Sequence, residues 1–352
     1  MTALADLLKA RIARTGPITL ADYMAECLMH PEHGYYATRD PFGTKGDFIT
    51  APEISQMFGE LIGLCLAQAW MDQGAPTPFI LAELGPGRGT LMADVLRATK
   101  GVPGFHDAAQ VHFVETSPIL RGVQAKAVPH ATWHYNAADL PEAQLFLIAN
   151  EFFDALPIRQ FQRAGEGWRE KMVGVTDNSL TLGLSAPAPL GVLEKRLADT
   201  KEGDVVEYCP ALPGIVAEIS QRITTHGGAA LIIDYGDWQS QGDTFQALQG
   251  GKVADPLSAP GEADLTAHVD FAAIAAHAGG ASYSRVTPQG VFLERLGITQ
   301  RAQALAKGLT GAALDSHIKA HRRLTHPDEM GHLFKVIALT PTTAAPPPGV
   351  AA

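Results

Sequence analysis

Hydrophobic positions change period along the chain, and those changes divide it. Leu4, Leu7, Leu8 and Ile12 recur at helical spacing, and a second apolar helix follows Thr19. Residues 30–52 hold Pro31, Gly34, Pro41, Gly43, Gly46 and Pro52, which marks irregular chain. From Pro52 the pattern predicts a helix to about Met71, with Ile54, Met57, Phe58, Leu61, Ile62 and Cys65 on its inner side. Phe79–Leu84 is a short apolar run bounded by turn residues, as a strand buried on both faces would be. A helix from Gly89 to about Ala98 follows, then strands at Val111–Glu115, Thr132–Tyr135 and Leu145–Ala149. Strands alternating with helices predict a parallel sheet with right-handed crossovers.

Residues 157–208 read differently. Trp168–Val175 and Ser179–Leu184 flank Asp177-Asn178, a hairpin signal, and Asp204–Tyr208 adds a short strand. The parallel pattern resumes with a helix at 211–226, ended by Gly227-Gly228, and the strand Ala230–Tyr235. Helices near 269–278, 289–295 and 298–322 and strands near 282–286 and 333–340 complete the body. The expected fold is α/β: one doubly wound domain over 76–340, an antiparallel insertion at about 157–208, and a helical cover with a substrate loop over 1–75. Residues 341–352, rich in Pro, Thr and Ala, are expected to be disordered.

Composition narrows the function. Apolar residues make up 46% of the 352 and charged ones 18%, enough for a large core. Lys plus Arg is 27 against 37 Asp plus Glu, a net charge of −10. A protein that displaces counterions from a duplex needs a basic surface, so nucleic-acid binding is disfavoured and a cationic partner is favoured. Cys27, Cys65 and Cys209 lie far apart, which excludes a disulfide framework and a cysteine-rich zinc site. His326 and His332 lack metal-ligand spacing, so no metal is expected. No apolar run approaches the ~20 residues of a membrane span. The first helix carries Lys9, Arg11 and Arg14 as a mitochondrial presequence would, but Asp6 and the lack of serine point to a cytoplasmic-type enzyme.

The strongest chemical signal is Glu83-Leu-Gly85-Pro-Gly87-Arg-Gly89-Thr, between a buried strand and a helix. Alternate glycines let backbone approach a ligand, and the helix start offers unpaired N–H groups. A nicotinamide site would read G-x-G-x-x-G, whereas the spacing here is G-x-G-x-G. Glu83 decides further: a carboxylate there repels a pyrophosphate and attracts the ammonium or sulfonium of S-adenosylmethionine (SAM). Glu115, ending the second strand, either accepts the ribose hydroxyls or is a solvated strand-end acid. Asp139 either receives the adenine amino group or caps a helix before Leu140-Pro141.

The fourth strand runs into Asn150-Glu-Phe-Phe-Asp-Ala-Leu-Pro157, where this fold faces the transferred methyl. Glu151, Asp154 and Phe153 can hold a cation through charge-assisted hydrogen bonds and ring faces. Alternatively the phenylalanines are core and the acids cap a helix. The Asn/Asp-Pro-Pro-aromatic sequence of base-amine methylating enzymes is absent. Asn150 is counted with the cofactor residues. Asp47 and Glu53 sit in or beside the irregular loop and can reach the site as part of a lid; Glu53 equally fits the first turn of a helix. Glu207 is a candidate substrate residue. His268 is either a proton acceptor or a structural histidine.

Together these residues resemble the MidA-type family of SAM-dependent methyltransferases. The matching stretches include Gly34-Tyr-Tyr36, GDFITAPEISQMFGELIG (46–63), ELGPGRGTLMADVLR (83–97), ETSPILRGVQ (115–124), ANEFFDALP (149–157), ALIIDYG (230–236) and DLTAHVDF (264–271). The resemblance implies a class I SAM-dependent methyltransferase fold, with SAM held at Glu83, Gly85, Gly87, Gly89 and Glu115. The family's mitochondrial member is an arginine methyltransferase that assists assembly of respiratory complex I. The implied activity is therefore symmetric dimethylation of an arginine in a NuoD-like subunit of NADH:ubiquinone oxidoreductase, in the bacterial cytoplasm or, for a eukaryotic chain, the mitochondrial matrix. Methylation of another acceptor and a non-catalytic SAM-binding assembly chaperone are the alternatives, and a homodimer is left open.

Overall fold

The computed structural model describes residues 2–39 and 50–351. Its centre is a mixed sheet of nine strands among the described residues. In spatial order its main strands are Ser282–Tyr283, Phe334–Thr340, Gly228–Asp237, Leu145–Asn150, Phe79–Leu84, Ala109–Val114 and Thr132–His134. The last five are mutually parallel, and Phe334–Thr340 runs antiparallel to Gly228–Asp237. Every residue of Phe79–Leu84 and Leu145–Asn150 is buried, because helices cover both faces. From Phe79–Leu84 the chain first winds to one side, then returns to Leu145–Asn150 and winds to the other. That reversal opens a crevice at the carboxyl ends of these two strands.

Helix Gln56–Asp72 packs one face of the sheet with helix Thr90–Ala98, and helix Leu212–His226 packs the other. Gly59 and Gly63, one turn apart, let the first pair approach closely. A Cβ on Gly59 would stand 2.6 Å from the Asp94 Cβ, and one on Gly63 2.9 Å from the Val95 Cα. The helix that opens at the glycine turn is thereby fixed against its neighbour.

The inserted strands and the N-terminal Ile18–Thr19 form an antiparallel sheet of their own, in the order Ile18–Thr19, Gly167–Thr176, Arg159–Ala164 and Val205–Tyr208, with Ser179–Leu184 on Gly167–Thr176. Asp177 and Asn178 turn the hairpin, both with positive φ, 49° and 59°. Helices Ala3–Thr15 and Leu20–Met29 pack against this sheet and against a small sheet of Gln246–Gln249, Lys252–Ala254 and Asp264–Thr266.

Several expectations need correcting. The N-terminal stretch is not one cover, since Gln56–Asp72 belongs to the central core and the first two helices to the insertion. The helix expected from Pro52 breaks at Ser55, which caps the second part by accepting from the Met57 N–H. The helix expected at 298–322 is two, Ile298–Ala306 and Gly311–Thr325, parted at Gly308. The tail expected to be disordered packs on the body. Ala351 exchanges hydrogen bonds with Arg285 and Thr287, and the Gly349 carbonyl accepts from Arg295. Its backbone polar groups find partners that composition does not reveal. Among the described residues no helix is long and apolar enough to cross a membrane.

Candidate active site

The glycine turn follows Phe79–Leu84 into the crevice. Gly85, Gly87 and Gly89 all have left-handed φ, 58°, 52° and 79°. The Phe152 ring lies on Gly85, where an added Cβ would be 3.0 Å from it. Two cavities meet over this turn and share Tyr36, Gly85, Gly87 and Glu151 in their walls. The larger, about 440 Å³, runs over Leu120, Phe152 and Asn136–Ala138 and has Glu115 in its wall. The smaller, about 110 Å³, is lined by Glu53, Glu83, Glu151, Asp154 and Asp264, with Arg88 as the cation among its described lining residues.

Glu115 is held for its place. Its Oε1 accepts from the Ser117 N–H (2.8 Å) and its Oε2 from Gln124 Nε2 (3.1 Å). The same Gln124 amide donates to the Gly87 carbonyl, and its oxygen accepts from the Trp133 indole, both 2.8 Å. Gln124 is thus a buried brace between strand-end acid and glycine turn. The ETSPILRGVQ stretch contained it, but glutamine side chains carry no periodic signal.

Glu83 is 3% exposed, and its Oε2 has no hydrogen-bond partner. Burial pushes its carboxyl up to about 8, against a lowering by the Met92 N–H. Asn150 Oδ1 and Asp154 Oδ1 in the same cavity are likewise buried without partners. Three unsatisfied acceptors lining one cavity call for a ligand that brings hydrogen-bond donors.

Glu151 has φ 50°, an uncommon conformation for a side-chain-bearing residue. Its N–H donates to the Ile233 carbonyl (2.9 Å), while its Oε1 accepts from the Ala51 N–H (3.2 Å) and the Asn150 amide (3.1 Å). Burial, then the charge of Asp154, raises its carboxyl to about 7. Asp154, also raised by burial, accepts a hydrogen bond from the Tyr235 hydroxyl. Behind them Asp234, fully buried, accepts from the N–H groups of Phe153 (3.0 Å), Asp154 (3.3 Å) and Tyr235 (2.9 Å). That carboxyl anchors the turn that carries both acids.

Glu53 lies in the first turn of the short helix Ala51–Ile54, accepts from the Thr90 hydroxyl and still lines the cavity. Other candidates fall elsewhere. Phe153 is core, and Phe152 is the ring on the cavity. Asp139 faces solvent in a capping box with Asn136, where its Oδ2 accepts from the Asn136 N–H at 3.0 Å. Glu207 accepts from Gln160 (2.6 Å) and from the Thr244 N–H (2.9 Å) and hydroxyl (2.5 Å), which binds the insertion to the 240–244 loop rather than to a ligand. His268 lines neither cavity; its ring meets the edge of Tyr235, 5.3 Å between centroids. Asp47 lies outside the described residues. Among the described residues no cluster of three or more His, Cys, Asp or Glu is placed to hold a metal ion. The sequence reading did not single out Tyr36 or Asp264 as site residues. Tyr36 belongs to the irregular loop region, and Asp264 to a strand of three residues too short to show alternation.

A family model described as S-adenosyl-L-methionine-dependent methyltransferase matches residues 61–288. The chain is 38% identical to the human protein arginine methyltransferase NDUFAF7, mitochondrial, over 94% of this chain and 82% of that protein. The Drosophila melanogaster homologue is 37% identical over 97% of this chain and 86% of that protein. A crystal structure of a likely methyl transferase of the COG1565 superfamily from Burkholderia thailandensis, bound to S-adenosyl-homocysteine, superposes with a TM-score of 0.80. It is 30% identical, and the match covers 96% of this chain and 92% of that one. With this identity over nearly the whole chain, it belongs to the MidA-type family of S-adenosyl-L-methionine-dependent methyltransferases.

Proposed function

We propose that this enzyme methylates the guanidinium of a protein arginine. The observation that carries the reading is the acidic cavity, where Glu151 and Asp154 stand beside the glycine turn and Asp154 Oδ1 has no partner. The arginine methyltransferase names of relatives at 37–38% identity support it. The finer reading is symmetric dimethylation in a NuoD-like subunit of NADH:ubiquinone oxidoreductase, assisting its assembly. It rests on the family resemblance. The compartment is the cytoplasm for a bacterial chain and the mitochondrial matrix for a eukaryotic one.

SAM supplies an activated methyl on a sulfonium. Glu115 would hold its ribose, Glu83 and Asn150 Oδ1 its ammonium, and Arg88 its carboxylate; Leu120, Phe152 and Ala137–Ala138 would bed the adenine. The remaining work is positioning and electrostatics. Glu151 and Asp154 take the guanidinium N–H groups, which concentrates positive charge on the bonded nitrogens and leaves the attacking one more nucleophilic. When that nitrogen gains the methyl it sheds a proton, and Asp154, raised by burial, is a suitable acceptor.

The test uses radiolabelled SAM with a dialysed lysate, followed by acid hydrolysis and amino-acid analysis. Wild type should label one protein band as methylarginine. Glu151→Gln should abolish the label and leave SAM affinity within about threefold, because the glutamine oxygen can still accept from the Ala51 N–H and from the Asn150 amide. Full activity in that variant would rule out the acceptor assignment, and label outside arginine would rule out the substrate class.

A further inference from the structure

We infer that Tyr235 is a positioning residue for methyl transfer, its phenol donating to Asp154 and keeping that carboxylate turned toward the guanidinium; the inference rests on the arginine reading above. Tyr235 stands near the carboxyl end of Gly228–Asp237 and lines the smaller cavity together with Asp154. Asp154 is pinned through its backbone on both sides. Its N–H donates to Asp234 Oδ2 at 3.3 Å, and its carbonyl accepts from the Ala267 N–H at 3.0 Å. Rotation of the side chain is the freedom that remains, and the Tyr235 hydroxyl, hydrogen-bonded to the carboxylate, restricts it. The phenol is itself held. Its ring meets His268 at 5.3 Å and 84° and Phe334 at 5.4 Å and 68°, measured between ring centroids and planes. His268 and Phe334 thus bear on the acceptor site through the ring they clamp, although neither lines the cavity.

Asp154 Oδ1 stays buried without a partner, so the phenol orients the carboxylate and still leaves an oxygen for an incoming N–H. This carboxylate both holds the guanidinium and takes the proton that the attacking nitrogen sheds, so it must enter the reaction ionised. Its surroundings oppose that. Glu151 on the same turn, Asp234 on the strand behind, and Glu53 and Glu83 in the cavity wall all favour the protonated form. Asp264 and Tyr36 line the cavity from the small sheet and the N-terminal segment, Arg88 is the cation in its described wall, and Arg323 acts on Glu151. Burial raises the Asp154 carboxyl to about 6, against a lowering by the Tyr235 hydroxyl. The phenol keeps its own proton, because burial raises it well above its ordinary value. One proton therefore passes from nitrogen to Asp154, and Tyr235 prepares the acceptor without entering the transfer.

The experiment measures the acceptor kcat/KM from pH 5.5 to pH 9 at saturating SAM, with full-length wild type and Tyr235→Phe. The substrate is the protein band that wild type labels, purified from the lysate. Phenylalanine keeps both ring contacts and removes one oxygen. The acid limb of the profile should move up by about one to two pH units, the worth of a hydrogen bond to a charged group. The variant should then be at least about tenfold slower than wild type at pH 6 and within about threefold of it at pH 9. S-adenosylhomocysteine affinity by calorimetry should stay within about threefold, because Tyr235 does not line the larger cavity. A second protein, carrying 3-fluorotyrosine at position 235 alone, has a more acidic phenol and should move the limb down. An unmoved limb in Tyr235→Phe overturns the inference. So does an equal loss at every pH, or a loss of S-adenosylhomocysteine binding in step with activity, since either makes the residue merely structural. Should Tyr235→Phe not fold, the fluorinated protein decides, and an unmoved or raised limb there overturns the inference. Absence of methylarginine with wild type would instead overturn the arginine reading beneath it.

Discussion

Glu83 carries the most consequence of any single residue. Its carboxyl is buried, unpaired at Oε2 and raised to about 8 from 4.5. Well below 4.5 both folded and unfolded chains hold the proton. Between 4.5 and about 8 the unfolded chain has lost it while the folded chain keeps it, so stability without ligand falls as pH rises. Above about 8 the loss is complete, and its slope cannot exceed ~1.4 kcal/mol per pH unit for one proton. Glu151 adds a loss of the same sign up to about 7. Glu83→Gln should therefore flatten the decline of the unliganded melting temperature between pH 5 and pH 8. It should also weaken S-adenosylhomocysteine at least about tenfold by calorimetry at pH 8, as loss of a charge-assisted hydrogen bond would. Unchanged affinity would remove the ammonium from Glu83. The residue types around the glycine turn were legible because a carboxylate and three glycines between strand and helix fit few ligands. Which of Phe152 and Phe153 faces the cavity was not, since adjacent residues in a turn owe their direction to the backbone that Asp234 anchors.

At the scale of elements, local pattern and tertiary demand part company in recognisable places. Asp177-Asn178 announced its hairpin because both residues tolerate the positive φ that the turn needs. The break at Ser55 was hidden, for the apolar run continues through it while the hydroxyl caps the next helix. The small sheet was missed because its strands span three or four residues, and one of them supplies Asp264. Glu207 shows the opposite error, a buried acid read as a substrate group that instead joins two elements. Glu207→Ala should leave one Gln160 amide hydrogen and the Thr244 N–H without an acceptor, Gln160 keeping its bond to Asp243, and cost about 2–4 kcal/mol, read from the denaturant midpoint. Acceptor KM should stay within about twofold in the fraction that remains folded. A raised KM with unchanged stability would return Glu207 to the substrate site.

At the scale of the molecule, three of the four apolar cores among the described residues unite segments distant in sequence: the two faces of the central sheet, and the layer where the first helices meet both accessory sheets. The tail belongs to this assembly, since Pro348 accepts from the Cys65 thiol and Gly349 lies against Phe292. Truncation after Thr340 should lower the melting temperature by roughly 3 °C, as a loss of about 2 kcal/mol would in a chain of this length, with turnover per folded molecule retained. An unchanged melting temperature would make that packing inconsequential. The sequence by itself determined the doubly wound sheet, the glycine turn and the acids at 83, 115, 151 and 154. Buried strands, tight turns and close ligand approach each restrict residue type locally. Tertiary structure alone decided which acids share a cavity, that Asp264 and Tyr36 join them, and that Asp139, Glu207 and His268 do not. A carboxylate's role depends on what burial leaves beside it, and those neighbours come from more than 200 positions away, as Tyr36 does for Asp264.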